Sequence, residues 1–148
     1  SAKKRKVMAD QIMVNALDWA IGQASVYEID HYNILRASHL AMQRAFNALS
    51  HKATIVLVDG NRLPDFPIDS RAIVNGDQTI PSIGAASIIA KVFRDDLMEA
   101  LGSKHPSYDF EKNKVYPTAA HMQRLRDVGP CPHHRKSFAP VKNWNITN

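Results

Sequence analysis

The sequence has a single cysteine, Cys131, in 148 residues. One thiol allows neither an intramolecular disulfide framework nor a four-thiolate zinc site, and it suits a reducing, cytoplasmic location. No window reaches the roughly 18 uninterrupted apolar residues of a membrane span, and the basic opening segment lacks the apolar core of a signal peptide. Glycine (6) and proline (8) are too sparse for a collagenous or low-complexity chain. Acidic residues are in the minority, 14 against 19 Lys and Arg. What remains is the composition of a soluble globular protein, 45% hydrophobic and 22% charged, of a length expected to form one domain over residues 1–148.

The formal net charge of +5 favours polyanionic partners. The densest basic run is Ser1-Ala2-Lys3-Lys4-Arg5-Lys6-Val7. It fits a nuclear-localisation or heparin-binding patch. It also fits a solvated first helical turn with Ser1 near the N-cap, and the helical periodicity that follows favours this second reading.

Met8, Ile12, Ala16 and Trp19 recur at helical spacing and predict an amphipathic first helix. A strand is expected from Trp19 to Ser25. Glu28 to Leu49 reads as one helix with a buried stripe of Ile34, Leu35, Ala41, Met42, Ala45, Phe46 and Leu49, and with Glu28 and Asp30 at the positive end of its dipole. Ala53 to Val58 is a continuous apolar run, expected of a strand buried on both faces, and Arg71 to Val74 is a shorter strand. Ser82 to Leu101 reads as a helix whose small residues Gly84, Ala85, Ala86 and Ser87 would allow close approach to a sheet. Ser103 to Pro117 reads as loop, Thr118 as the cap of a last helix stopped by Gly129-Pro130, and residues 131–148 as an irregular basic tail. The alternation indicates an α/β layer structure.

Val58-Asp59-Gly60 and Asn75-Gly76-Asp77 each place a carboxylate beside a glycine at the end of an apolar strand, where open α/β sheets build their sites. If the strands are neighbours the carboxylates converge, and a pair of this kind holds Mg²⁺ or Mn²⁺ through hard oxygen ligands. Two such ions support phosphodiester hydrolysis. Asp-Gly and Gly-Asp are also ordinary turn formers, and spacing alone leaves both readings open. Lys91 and Asp95, at i and i+4, face a substrate or form a surface ion pair, with Arg94 and Asp96 beside them. His121, His133 and His134 with Cys131 match no zinc spacing and are read as positioning or solvated histidines. Arg135, Lys136 and Lys142 around Phe138 have the composition of a phosphate-tracking surface or of a solvated tail. Tyr116, between Lys112, Lys114 and Pro117, is a stacking residue or a loop anchor. Asn145-Ile146-Thr147 matches the glycosylation pattern and is discounted, because nothing implies secretion.

Several blocks in fixed order carry a family resemblance. Val58-Asp59-Gly60-Asn61, Asn75-Gly76-Asp77 and Ser82-Ile83-Gly84-Ala85-Ala86-Ser87-Ile88-Ile89-Ala90-Lys91-Val92-Phe93-Arg94-Asp95 strongly resemble bacterial ribonuclease HII. Tyr116-Pro117-Thr118 and the run from His133 to Lys142 continue the match over nearly the whole chain. The resemblance implies an α/β, RNase H-like mixed sheet flanked by helices, with a helical C-terminal part. It also implies an endonuclease that hydrolyses RNA in RNA/DNA hybrids and cuts on the 5′ side of ribonucleotides embedded in duplex DNA, using four carboxylates and Mn²⁺ or Mg²⁺. By position, Asp59 matches the third carboxylate and Asp77 the fourth. Tyr116 matches the junction-sensing tyrosine that stacks under the following deoxyribose, and Asp95 matches a recurrent helix residue that is not assigned as a ligand. Lys91, Arg94 and Arg135 are the expected contacts to the hybrid backbone.

The departures are specific. The family's first motif, Asp-Glu-x-Gly-Arg-Gly on an initial strand, supplies the other two carboxylates and is absent from these 148 residues. The expectation is a catalytic domain without its N-terminal portion, monomeric and inactive on its own. A non-catalytic nucleic-acid-binding remnant and the related ribonuclease HIII are the alternatives. Val115 stands where many members have glycine, and Asn113 where histidine is common.

Overall fold

The computed structural model describes residues 1–146, and of Asn145 and Ile146 only the backbone. The Asn145-Ile146-Thr147 pattern therefore extends outside the described residues. Two compact units form, one from Ser1–Ala24 and Leu35–Phe93, the other from Ser25–Ile34 and Arg94–Asn148. None of the helices among the described residues is long and apolar enough to cross a membrane.

In the first unit, α1 (Ala2–Asn15) starts where the Ser1 hydroxyl accepts the Lys4 N–H, so the basic run is the first helical turn. Four cations there oppose the helix dipole, and the solvated surface screens them. Ala9 is the residue α1 buries, while Met8 is 47% exposed and Ala16 and Trp19 lie beyond the helix end, so the predicted face is displaced by one position. Residues 19–25 form no regular secondary structure, which corrects the expected strand. Gly22 presses against α3 (Ile34–Ala48) so closely that a Cβ would collide with the Ala41 carbonyl, and this contact replaces strand pairing. The Asp18 carboxylate accepts from the backbone N–H groups of Trp19, Ser50 and His51, tying this segment to the end of α3.

The long helix expected from Glu28 to Leu49 is two helices. Ser25 and Glu28 form a reciprocal capping box that starts α2 (Val26–Tyr32), and Asn33 at φ 78° ends it before α3 begins. With ψ at 167° the Asn33 backbone lies outside the helical regions, so the helix cannot continue through it. The break leaves Ile34 and Leu35 exposed rather than on a buried stripe, whereas Ala41, Met42, Ala45, Phe46 and Leu49 are half-buried.

The sheet among the described residues has two parallel strands, β1 (Val56–Asp59) and β2 (Ser70–Ile73), in the register Asp59 to Ile73. β1 is shorter than predicted and β2 keeps its predicted length, shifted one residue earlier: only Val58 of β1 is buried, and Ile55 and Val74 stand exposed at the ends. After β2, Asn75 takes a left-handed turn (φ 54°) into the single turn α4 (Gly76–Thr79), and Pro81 opens α5 (Pro81–Lys104). Gly84 brings α5 against the Asp77 carbonyl, so the small-residue start of this helix approaches α4.

In the second unit, the stretch expected to be loop contains a 3-10 turn (Pro106–Tyr108) and α6 (Phe110–Asn113). Thr118 caps α7 (Ala119–Val128) through its hydroxyl, and Gly129 ends it. Tyr108, Phe110 and Leu125 form the core, covered by Leu101, Val115, Cys131, Val141 and Trp144. Residues 131–140 are irregular as expected but are not a solvated tail, because His134 is 2% exposed and a second 3-10 segment (Val141–Ile146) packs behind it.

Candidate functional site

In the first unit, the neighbouring parallel strands place Asp59 at the end of β1 and Asp77 in the turn after β2. Asp59 Oδ1 accepts the backbone N–H of buried Gly76 at 2.8 Å, and Asp77 is the next residue. A side chain on Gly76 would overlap Ile83, so glycine lets β1, α4 and α5 meet at this point. Both carboxylates are exposed, and neither has an ion-pair partner among the described residues. Their hard oxygens suit a divalent cation. Among the described residues no group of three or more His, Cys, Asp or Glu is placed to hold one, so these two supply part of a ligand shell. Lys91 is exposed on α5 in the same unit.

The second unit carries the aromatic and basic residues. Tyr116 is 60% exposed in the turn between α6 and α7, where its backbone N–H donates to the Asn113 carbonyl at 2.8 Å. Its chain neighbours Val115 and Pro117 line a cleft with Arg135 and Phe138. The Arg135 guanidinium lies 4.0 Å over the Phe138 ring. Burial lowers the Arg135 pKa, the charge of Arg94 lowers it further, and Tyr116 and Asp30 act in the opposite sense. Arg94 donates to the Lys114 carbonyl at 3.4 Å. The structure thus gathers Arg94, Tyr116 and Arg135, residues far apart in sequence, into one electrostatic neighbourhood.

Beneath Tyr116, Lys114 and Val115 both have positive φ, 51° and 65°. A β-branched residue in the left-handed region is strained, and this is the position where glycine is common in the resembled family. Asn113 holds the turn: its Oδ1 accepts the Val115 N–H at 2.8 Å, and its Nδ2 donates to the Tyr108 carbonyl and meets His121 Nδ1 at 3.2 Å.

His121 Nε2 in turn faces His134 Nε2 at 3.3 Å, and the Cys131 N–H donates to His134 Nδ1. Asn113 and Cys131 each bring a donor and each neutral imidazole carries one proton, one more than the three contacts along this chain hold. A further proton worsens the mismatch. Burial, then the neighbouring His121, pushes His134 down to about 4, and burial lowers His121. Both are internal positioning residues under the Tyr116 turn, while His133 packs edge-on against His105. Burial raises the Cys131 thiol, which disfavours a reactive thiolate.

Two contributors escaped the sequence reading. Asn113 registered only as a departure from a common residue, although its two-sided hydrogen bonding fixes the turn. Asp30 registered only as a helix-dipole residue, yet its carboxylate accepts from the N–H groups of Lys136 and Ser137, both at 2.8 Å, and from the Ser137 hydroxyl. Its partners lie more than a hundred residues along the chain, beyond the reach of any local pattern.

The sequence model of one family, described as Ribonuclease HII, matches residues 1–141. Proteins named Ribonuclease HII from Shewanella halifaxensis and Paracoccus denitrificans are 54% and 53% identical over 142 residues, covering 96% and 95% of this chain and 70% and 67% of their own. One from Bordetella avium is 47% identical over 146 residues, covering 99% of this chain and 72% of its own. The crystal structure of the ribonuclease H2 from Pyrococcus horikoshii OT3 matches with a TM-score of 0.79 at 19% identity, covering 99% of this chain and 77% of that one, a likeness that establishes the fold. With its family model matched along most of its length and relatives at this level of identity, the chain belongs to the ribonuclease HII family.

Proposed function

We propose that this protein is an endoribonuclease that hydrolyses the RNA strand of RNA/DNA hybrids and cuts 5′ of ribonucleotides embedded in duplex DNA. The coarser statement, that it is a ribonuclease and so a hydrolase, follows from its family. The observation that carries the finer one is the pairing of two exposed carboxylates, Asp59 and Asp77, around the Gly76 peptide at the ends of adjacent parallel strands.

In this reading Asp59 and Asp77 supply two ligands for Mg²⁺ or Mn²⁺. When bound, a pair of such ions provides charge neutralisation and an activated water for in-line phosphodiester hydrolysis. The hydrogen bond from Gly76 occupies one Asp59 oxygen and orients the other. Tyr116 offers an exposed face for the sugar next to the ribonucleotide, and Lys91, Arg94 and Arg135 offer cations to the phosphates. We place the protein in the cytoplasm as a monomer, in keeping with its one thiol and net charge of +5.

We read residues 1–148 as belonging to one catalytic domain, and because two carboxylates are too few for two metals, this stretch taken alone binds a hybrid without cutting it. The test incubates this polypeptide with a duplex carrying one ribonucleotide in Mn²⁺, beside a version with Asp-Glu-x-Gly-Arg-Gly and its strand supplied ahead of Ser1. Binding by both and cleavage by the longer chain only is the expected result. Turnover by the 148-residue chain contradicts the ligand count, and failure of both to bind a hybrid contradicts the reading itself.

A further inference from the structure

We propose that Asp30 is a positioning residue for the nucleic-acid face: it holds the Arg135–Phe138 turn from behind and thereby fixes where Arg135 and Lys136 present their charge. The inference rests on the reading above that Arg135 meets the substrate backbone.

Residues 135–138 form a turn closed by the Phe138 N–H donating to the Arg135 carbonyl at 3.2 Å. The two central residues direct their N–H groups away from that bond, and both reach the Asp30 carboxylate: Lys136 on Oδ2 and Ser137 on Oδ1, each at 2.8 Å. The Ser137 hydroxyl adds a third bond at 2.5 Å. A two-oxygen acceptor is needed, because the two N–H groups use different oxygens. At the corners of the turn Arg135 stacks on Phe138, so the side chains facing the cleft are fixed by the same few residues that Asp30 grips.

A carboxylate near a phosphate-binding surface ordinarily repels the ligand. Here its charge is spent on three donors, and these bonds together with the Lys136 charge outweigh the cost of burial and hold Asp30 below the usual carboxylate range. Asp30 sits on α2 and its partners lie 106 and 107 residues further on, so the grip fixes the turn in place rather than a local cap.

The test is a thermodynamic cycle on hybrid binding by the 148-residue chain, read by fluorescence anisotropy across a salt series. Asp30→Asn keeps the size but turns an amide donor toward one of the two N–H groups. It is expected to weaken binding by about 3- to 10-fold and to reduce the salt slope by about one phosphate contact. In an Arg135→Ala/Lys136→Ala background, which itself weakens binding, the same change is expected to add less than about twofold, because a residue acting through others has nothing left to act on. Equal weakening in both backgrounds, or unchanged binding in the first, overturns the proposal. If Arg135→Ala/Lys136→Ala alone leaves binding unchanged, the interface reading itself fails. Should Asp30→Asn not fold, Ser137→Ala, which removes only the hydroxyl bond, runs through the same cycle with a smaller loss of the same pattern expected.

Discussion

Asp59 Oδ1 accepts the backbone N–H of Gly76 at 2.8 Å, and this bond ties the end of β1 to the turn that carries Asp77. It gives the carboxylate a structural task separable from any ligand role. Asp59→Asn retains an oxygen for Gly76 and is expected to fold with a stability change under about 1 kcal/mol, whereas Asp59→Ala orphans a buried N–H at a cost of about 1–3 kcal/mol. Urea denaturation of the two variants checks this. Equal stability of both would mean that the bond contributes nothing.

The strained Val115 supplies a second prediction. Val115 packs on the Tyr108, Phe110 and Leu125 core, so truncation loses contact area in either variant. Alanine keeps the left-handed penalty at φ 65° and glycine removes it, so Val115→Gly is expected to be more stable than Val115→Ala by about 1 kcal/mol. That reverses the usual order. Thermal melts of the pair decide it, and a more stable alanine variant counts against strain at this turn.

The buried histidines predict acid lability. His134 is lowered from 6.5 to about 4, so the unfolded chain takes up a proton more readily than the folded one. The associated stability is fully present above pH 6.5 and is lost as pH falls from 6.5 toward 4, by about 3 kcal/mol in all. His121 adds in the same direction. Asp30 is lowered from 3.8, so its contribution is lost only at still lower pH and does not mask the effect. Unfolding free energies measured between pH 7 and 4.5 are expected to fall steadily, and a flat profile contradicts the neutral, mismatched pair.

Much of this was legible in local chemistry. Ser1 and Thr118 cap helices because their hydroxyls sit where the first free N–H groups need acceptors, and the Asp-Gly and Gly-Asp pairs mark strand ends because the chain turns there. What was not legible depends on contacts between distant residues. Nothing around Trp19 to Ser25 announces that Gly22 will lie against Ala41 and leave the segment unpaired. Asn33 divides a periodic helix with one backbone angle, and the Asp30 grip involves partners that no window contains. The paired carboxylates were readable because both neighbouring strands end in the same turn chemistry. The histidine chain was not, because burial and proton count belong to the folded state.

Tyr116 should act through its ring face. Tyr116→Ala is expected to weaken binding of a ribonucleotide-containing duplex by about 1–3 kcal/mol, with Tyr116→Phe close to the parent. Anisotropy titrations measure both. Equal losses would assign the effect to the hydroxyl group and would contradict stacking.

The most direct test of the central claim is cleavage mapping on a duplex with one embedded ribonucleotide in Mn²⁺, using this sequence with the family's first motif supplied ahead of Ser1, and its Asp59→Asn and Asp77→Asn variants. The account predicts a single cut 5′ of the ribonucleotide by the parent and a loss of about a hundredfold or more in each variant, with folding and hybrid binding retained. Cleavage by either folded variant within about tenfold of the parent rate, a barrier change of only about 1.4 kcal/mol, would contradict it.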